Sequence, residues 1–242
     1  MSALDLRTVR ADTKVRPYET PDFGATMPGK FHHESLYRGE ELAGKLAAIR
    51  VTICGVGAVG SNLADALARQ GVANLRAIDH DRVEEHNVST QLYGESDVGV
   101  WKVEALRNRL FRAVGIEIET VRKELGEGNA RSLLKDSDLL IDAFDNSASR
   151  QFVQNYARTA GAPCLHVGLH EDYAEVVWDE QYRVPRDVAA AAAACDYALA
   201  RNLVMLAVVV ASESVVRWVG RGRRQNSTAT LGDLAVRAME AP

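Results

Sequence analysis

Cysteine is scarce in this chain. Only Cys54, Cys164 and Cys195 occur, far apart and with no CxxC pair. An odd count at that spacing argues against a disulfide framework and against a four-cysteine zinc knot. A reducing cytoplasm is the default compartment. Basic charge is not in excess either: 29 Lys and Arg stand against 33 Asp and Glu, for a net charge of −4, and the isoelectric point is near 5.9. No general attraction for nucleic acid follows. Long apolar runs are missing. The longest, Leu203 to Ala211, ends at Ser212, Glu213 and Ser214 and falls short of the about 20 residues that a bilayer-spanning helix needs, so no membrane partner is expected. The first residues are polar and charged, unlike a signal peptide. No internal repeat is visible. What remains is 242 residues with 47 % hydrophobic content, ample for one core.

The organising stretch is Arg50 to Asp81, RVTICGVGAVGSNLADALARQGVANLRAIDHD. Val51 to Cys54 is a short apolar, β-branched run and reads as a buried strand. Gly55, Gly57 and Gly60 follow in the spacing GxGxxG. The next run is amphipathic, with Leu63, Ala66 and Leu67, and Gly71 closes it as a helix end. A second strand, Leu75 to Ile78, ends on Asp79. In such a turn Gly55 permits the tight bend, Gly57 lets backbone come close to a phosphate, and Gly60 lets the helix lie against the strand. The helix start aims free N–H groups and partial positive charge at an anion. Asp79 falls where an acid accepts hydrogen bonds from ribose hydroxyls. Together these features predict a nucleotide site.

The flanking chain extends the pattern. Residues 1–34 carry Pro17, Pro21 and Pro28 and many charges without apolar periodicity, and read as an extended arm fit to drape on a second subunit. The adjacent His32 and His33 read as a solvated loop. From Ser35, the spacing of Leu36, Leu42, Leu46 and Ile49 predicts one helix leading into the first strand. After Asp79 a polar loop runs to Lys102, without a period. Helix spacing resumes over 102–112. A strand is expected over 116–121, a short helix over 129–134, and a buried strand over 138–144 that stops at Asp145 and Asn146. Ser147 is a candidate cap for the next helix, 147–160. Strands are expected over 163–168 and 173–178. The alanine-rich 184–194 reads as a crossing segment, 202–219 as a helix, and 221–242 as a tail opening on Arg221, Arg223 and Arg224. Alternating strands and helices imply an α/β fold: a doubly wound, Rossmann-like, mostly parallel sheet with helices on both faces. Ligands then sit at the carboxyl ends of the strands, where Asp79 and Asp145 both fall.

The polar loop adds what a dehydrogenase would not need. Asp79 is followed by Asp81, then Asn87, Gln91, Val98-Gly99 and Lys102, then Asp142, Asp145, Asn146 and Arg150. This set, GxGxxG, DxD, NxxxQ, VGxxK and DxxDN, resembles the ThiF/MoeB family, bacterial relatives of ubiquitin-activating enzymes. The resemblance covers about 35–220, which would then be an adenylation domain. It implies ATP and Mg2+, joining of AMP to the C-terminal carboxylate of a ubiquitin-like or sulfur-carrier protein ending in Gly-Gly, release of pyrophosphate, and a homodimer. It also implies roles. Asp79, with Asp81 beside it, holds the ribose. The glycine turn with Ala58 lies against the nucleotide. Asn87 and Gln91 line the phosphate path, Lys102 neutralises phosphate charge, and Asp145 holds magnesium with Asn146 beside it. Plainer readings stay open: Lys102 as a surface helix lysine, Asp145 as a helix cap, Asp142 as structural. Arg150 reads as an orienting or salt-bridging residue.

Departures from the pattern are informative. Between Asn87 and Gln91 the family usually carries an arginine for the distal phosphates, and here Thr90 stands there. A hydroxyl does not replace a bidentate cation, so either another arginine reaches in or ATP chemistry is weakened. Arg82 is near in sequence, and Arg38 lies where the family often places an arginine that crosses to the other subunit. The family's paired CxxC motifs are missing, so zinc is not expected. Cys195 occupies the place where many relatives carry a thioester-forming or sulfur-passing cysteine, with Arg201 the nearest cation; the alternative is an ordinary small apolar residue. Cys54 and Cys164 read as buried and inert. His166 and His170 do not share a helix face and are not expected to bind metal. The alternatives to carrier activation are adenylation of a small molecule, a peptide or a tRNA substituent, a non-catalytic scaffold suggested by Thr90, and an NAD-dependent oxidoreductase.

Overall fold

The structure, a computed structural model, describes residues 29–185 and 198–239. Its centre is β1 (Arg50–Cys54), hydrogen-bonded in parallel to β2 (Asn74–Ile78) on one side and to β4 (Leu139–Asp142) on the other. A strand covered on both faces has no polar side to show, so Val51 to Cys54 are all buried and the run is continuous. Outward from β1 lie β3 (Glu119–Val121) beyond β2, and β5 (Cys164–His170), β6 (Tyr173–Trp178), β7 (Ser227–Thr230) and β8 (Ala235–Ala238) beyond β4. The order is β3-β2-β1-β4-β5-β6-β7-β8, parallel through β5 and antiparallel after it. Chain order therefore reverses between β1 and β4, and the crevice of an open α/β sheet opens at that switch point, beyond the strands' carboxyl ends.

Alternation along the strands builds two cores. Val51, Ile53, Leu75, Ala77, Leu139, Ile141, Leu165 and Val167 face one way. There they meet α2 (Glu40–Ala48), α3 (Ala58–Arg69), α4 (Lys102–Val114) and α7 (Arg201–Arg221) through Leu46, Leu63, Leu67, Leu106, Leu110 and Val204. Cys54, Ile78, Leu140 and Cys164 face the other way, against α5 (Ala130–Leu134) and α6 (Ser147–Ala160) through Leu134 and Val153. Helices thus cover both faces, as expected. Among the described residues only α7 is long and apolar enough to cross a membrane by length and composition. In the fold, Leu203, Val204, Ala207, Val208, Ala211, Val215 and Val216 turn inward from it to pack in the first core.

Several boundaries differ from the sequence reading. The leading helix is two helices, α1 (His32–Arg38) and α2, broken at Gly39, whose φ of 84° lies outside helical space. Only Glu119–Val121 of the 116–121 strand joins the ladder; Ile116 and Ile118 are buried without pairing. Asn146, not Ser147, caps α6, its Oδ1 accepting from Ser149 N at 2.8 Å. Residues 227–238 of the expected tail are the hairpin β7–β8. Residues 1–28 of the arm, and Cys195 with most of the alanine-rich segment, lie outside the described residues; His32, His33 and Glu34, read as arm and loop, are the first turn of α1.

The three glycines divide their work as the motif requires. Gly55 has φ +85°, and a Cβ there would lie 2.9 Å from Phe144. A Cβ on Gly60 would lie 1.9 Å from the Gly55 carbonyl oxygen, so α3 rests against the turn with no room between them. A Cβ on Gly57 meets nothing within 4 Å, so the space above it is open crevice. Gly60→Ala is therefore expected to lower unfolding stability by about 1–3 kcal/mol. Gly57→Ala should stay within about 1 kcal/mol of the parent. Urea melts of the two variants check this contrast.

Candidate functional site

Three elements meet at the crevice. The first is the end of β2. The ladder continues past the strand, Gly55 N donating to Ile78 O at 2.9 Å and Asp79 N to Val121 O at 3.1 Å. This fixes Asp79 level with the glycine turn. Its carboxylate is buried and accepts from Val56 N at 2.9 Å and Asp81 N at 2.8 Å. Burial pushes the Asp79 carboxyl above its ordinary value, against the pull of Lys102 and the two backbone N–H groups. The turn is also held from behind, because the Tyr93 hydroxyl donates to Val56 O at 2.7 Å.

The second element is the polar loop and the start of α4. The loop has no period because it is built of short turns whose polar side chains satisfy its own backbone. Asn87, buried, accepts from Glu84 N at 2.9 Å through Oδ1. The Thr90 carbonyl receives Asn62 Nδ2 at 3.0 Å, and Leu92 N donates to Ser61 Oγ at 3.1 Å, so the loop is clasped to the first turns of α3. The Gln91 side-chain oxygen is buried without a partner among the described residues. Lys102 opens α4 and its Nζ lies 2.9 Å from Asp81 Oδ2, with the side chain only 10 % exposed. Burial alone would lower its pKa; the charges of Asp79, Asp81 and Asp145 outweigh burial and hold the ammonium above its ordinary value. Lys102 is thus not a solvated helix lysine. It is a buried cation fixed by the acids of the crevice.

The third element follows β4. Ala143 N donates to Cys54 O at 2.9 Å, which brings Asp145 and Asn146 to the rim beside the turn. Because Asn146 caps α6, Asp145 is spared that task. Its carboxylate is exposed and has no hydrogen-bond partner among the described residues. Asp142, by contrast, is fully buried and structural. It accepts from Phe144 N at 3.2 Å and meets His166 Nδ1 at 2.8 Å, and Arg150 approaches it at 3.6 Å. His166 Nε2 faces Asp179 at 3.1 Å while its ring stacks on Tyr182 at 3.7 Å. Arg150 donates to Tyr182 Oη and to Val167 O, each at 2.9 Å, the orienting role expected of it. Burial pushes the Tyr182 phenol up to about 12.

Other candidates fall elsewhere. His170 is exposed at the end of β5, away from the enclosed His166. Burial raises the thiol pKa of Cys54 and Cys164 well above the ordinary value, so both are inert. Arg82 donates to Gly99 O at 2.6 Å and stacks on Trp101 at 4.0 Å, which takes it away from Thr90. Arg38 pairs within its own chain, with Glu34 at 2.6 Å and Glu213 at 3.1 Å. Arg201 donates from Nη1 to Thr90 O at 3.2 Å and Gln91 O at 3.5 Å; Cys195, beside which the sequence reads it, lies outside the described residues. No local signal joins positions 111 residues apart. Asp79, His80 and Asp81 offer ligand atoms within 4.8 Å of one another. Their carboxylates are already engaged by backbone N–H groups and Lys102, so that donor set is satisfied without a cation. A cavity of about 370 Å³ lies at the opposite end of the sheet, lined by Phe31, Ala47, Ala73 and Ile116.

Comparison with known proteins bears on the family and the fold. The chain is 29 % identical over 136 residues to the SAMP-activating enzyme E1 of Haloferax volcanii, covering 55 % of this chain and 50 % of that protein. It is 31 % identical over 147 residues to the sulfur carrier protein ThiS adenylyltransferase of Bacillus subtilis, covering 58 % of this chain and 44 % of that one. The chain thus spans about half or less of the length of these curated relatives. Among solved structures, E. coli MccB with ATP superposes with a TM-score of 0.74 at 17 % identity, over 90 % of this chain and 72 % of that one, a likeness of fold. The profile of the ThiF family matches residues 33–229, which run from the first turn of α1 into β7. The chain belongs to the ThiF family.

Proposed function

We propose that this protein is an ATP-dependent adenylyltransferase. It activates the C-terminal carboxylate of a ubiquitin-like or sulfur-carrier protein ending in Gly-Gly as an acyl adenylate, with release of pyrophosphate. The observation that carries the reading is the buried, charged Lys102 held among Asp79, Asp81 and Asp145 at the switch point of the sheet. A hydride-transfer site has no use for that cluster. The ThiS adenylyltransferase and the SAMP-activating enzyme bear names of the same reaction class.

The residues present fit a nucleoside triphosphate. The open space over Gly57 accepts a group pressed against the backbone. The first turn of α3 has no side-chain cap and no acid, so its N–H groups stay free for phosphate oxygens. Each Asp79 oxygen accepts one backbone N–H and keeps a lone pair for a ribose hydroxyl. Ala58 contributes the turn's backbone, and Asp81 holds Lys102 in place. Asn87 and Gln91 line the phosphate path, where an amide N–H of Gln91 is the group that can donate to a phosphate oxygen. Thr90 lends that path its hydroxyl. Asn146, by capping α6, frees the Asp145 carboxylate, which fits a hard cation. Magnesium bound there would neutralise charge on the phosphates and on the departing pyrophosphate.

The chemistry follows from charge. A carboxylate oxygen of the carrier attacks the α-phosphorus, the P–O bond to pyrophosphate breaks, and its electron pair leaves with the pyrophosphate. Two anions must approach, so fixed positive charge and positioning supply the catalysis rather than proton transfer. Lys102 supplies part of it at a preset place, since Asp81 and burial already fix its side chain. Cys195 is a candidate to receive the activated carrier as a thioester; it lies outside the described residues.

The working unit is proposed to be a homodimer in the cytoplasm. Leu36, Tyr37, Met205 and Val209 are 45 %, 85 %, 38 % and 61 % exposed on α1 and α7. Those two helices are joined by the Arg38–Glu213 pair, and a second copy would cover their apolar side chains.

Magnesium-dependent exchange of pyrophosphate into ATP, with a Gly-Gly carrier present, tests the reaction. Asp145→Ala should lose at least about a hundredfold of that rate with its circular dichroism unchanged. Unchanged exchange would remove Asp145 from the metal site. NAD binding by calorimetry in place of ATP would sink the adenylation reading. Gly57→Ala should weaken ATP binding about tenfold or more, because its methyl fills the open crevice. In sedimentation equilibrium, Val209→Glu should be monomeric at concentrations where the parent is dimeric. A parent that sediments as a monomer contradicts the dimer.

A further inference from the structure

The charge balance of the crevice is incomplete. Around the glycine turn stand Asp79, Asp81 and Asp145, and the cation close to them among the described residues is Lys102, already paired with Asp81. A magnesium ion on Asp145 offsets that carboxylate. Among the described residues, the far end of a triphosphate on the side of the polar loop would still meet the hydroxyl of Thr90 and the amides of Asn87 and Gln91. Neutral donors do not hold a multiply charged anion as a guanidinium does.

We propose that Arg201 is the residue that binds the distal phosphates of the nucleotide. The inference rests on the adenylation reading and extends it. Arg201 is the first residue of α7, and α7 packs against α3, so its side chain reaches the loop that α3 carries. One carbonyl joins the parts. Thr90 O accepts from Arg201 Nη1 at 3.2 Å and from Asn62 Nδ2 at 3.0 Å. Asn62 Nδ2 also donates to Ala58 O at 2.7 Å, in the first turn of α3. The guanidinium therefore sits one carbonyl away from the helix start that faces the phosphates. It is exposed and makes no ion pair among the described residues. Among the described residues only Nη1 is engaged, at 3.2 and 3.5 Å, and the other N–H groups of the fork can grip two phosphate oxygens. Rotation about the side-chain bonds swings the fork across Thr90 without moving the backbone. In the absence of nucleotide the two loop carbonyls hold it ready.

The test separates this role from that of a brace for the loop. Calorimetry of the full chain compares MgATP with AMP, which lacks the distal phosphates. In Arg201→Ala, MgATP affinity should fall tenfold or more while AMP affinity stays within twofold. Arg201→Gln keeps a donor for the Thr90 carbonyl but no charge, and it should behave like the alanine variant. Thr90→Arg in the Arg201→Ala background puts the cation back from the other side of the contact and should restore MgATP binding. Equal losses for MgATP and AMP, with recovery in Arg201→Gln, would make Arg201 a loop brace and overturn the proposal. So would undiminished MgATP binding in Arg201→Ala. A parent protein that binds neither nucleotide would instead overturn the adenylation reading itself, so the two failures look different.

Discussion

The crevice depends on one buried carboxylate. Asp79 ties the end of β2 to the glycine turn through Val56 N and to the start of the polar loop through Asp81 N. A buried carboxylate without partners is costly, by several kcal/mol. Here the two N–H groups and Lys102 offset that penalty, which still shows as a raised carboxyl pKa. The same contacts bring Lys102 into the site, because Lys102 N donates to Asp81 O at 2.9 Å while its side chain pairs with the Asp81 carboxylate. Removing the Asp79 carboxylate would release the turn, the loop start and part of the field that keeps Lys102 charged.

The far wall of the crevice is stiffened differently. Asp142, His166, Asp179, Arg150 and Tyr182 form a connected polar cluster under the end of β4. Each side chain has a partner, which is the condition under which such a cluster adds order rather than instability. It leaves Asp145, three residues further on, as the acid open to the crevice. Two carboxylates at nearly the same sequence position thus have opposite duties. One is spent on architecture and the other is left for a ligand, and the difference comes from Asn146 taking the cap of α6.

Much of this was legible in the sequence, because the signals were local. The glycine spacing, the continuous apolar strands and the acids at strand ends follow from short-range rules, and β1, α3, β2 and β4 fall where those rules put them. The run of leucines Leu36, Leu42 and Leu46 crosses Gly39 and hides the break in the leading helix; Leu46 is buried, whereas Leu36 is 45 % exposed, so they do not share one face. The hairpin β7–β8 escaped because Ser-Thr-Ala-Thr carries no apolar run, and only Ala229 of it is buried. Asp142 could be settled only by its partners on β5 and α6. The contact between Arg201 and Thr90 was invisible for the same reason. Distance in sequence erases what packing of α7 on α3 creates.

Acids at an anion site look like a contradiction, and their arrangement resolves it. Asp79 spends its charge on backbone N–H groups and keeps the turn rigid. Asp81 spends its charge on fixing the ammonium, so that Lys102 needs little reorganisation when phosphate arrives. Asp145 remains unspent and gives a cation a foothold at the rim. The uncapped start of α3 supplies neutral donors where acids would repel. Each carboxylate therefore raises the positive character of the place where phosphate lies by organising a cation or a dipole. This division explains why charged side chains are held at the ends of strands buried on both faces. A loose lysine on a solvated loop would carry the same formal charge, but it would lose its advantage to water and to conformational freedom before an approaching carboxylate could use it.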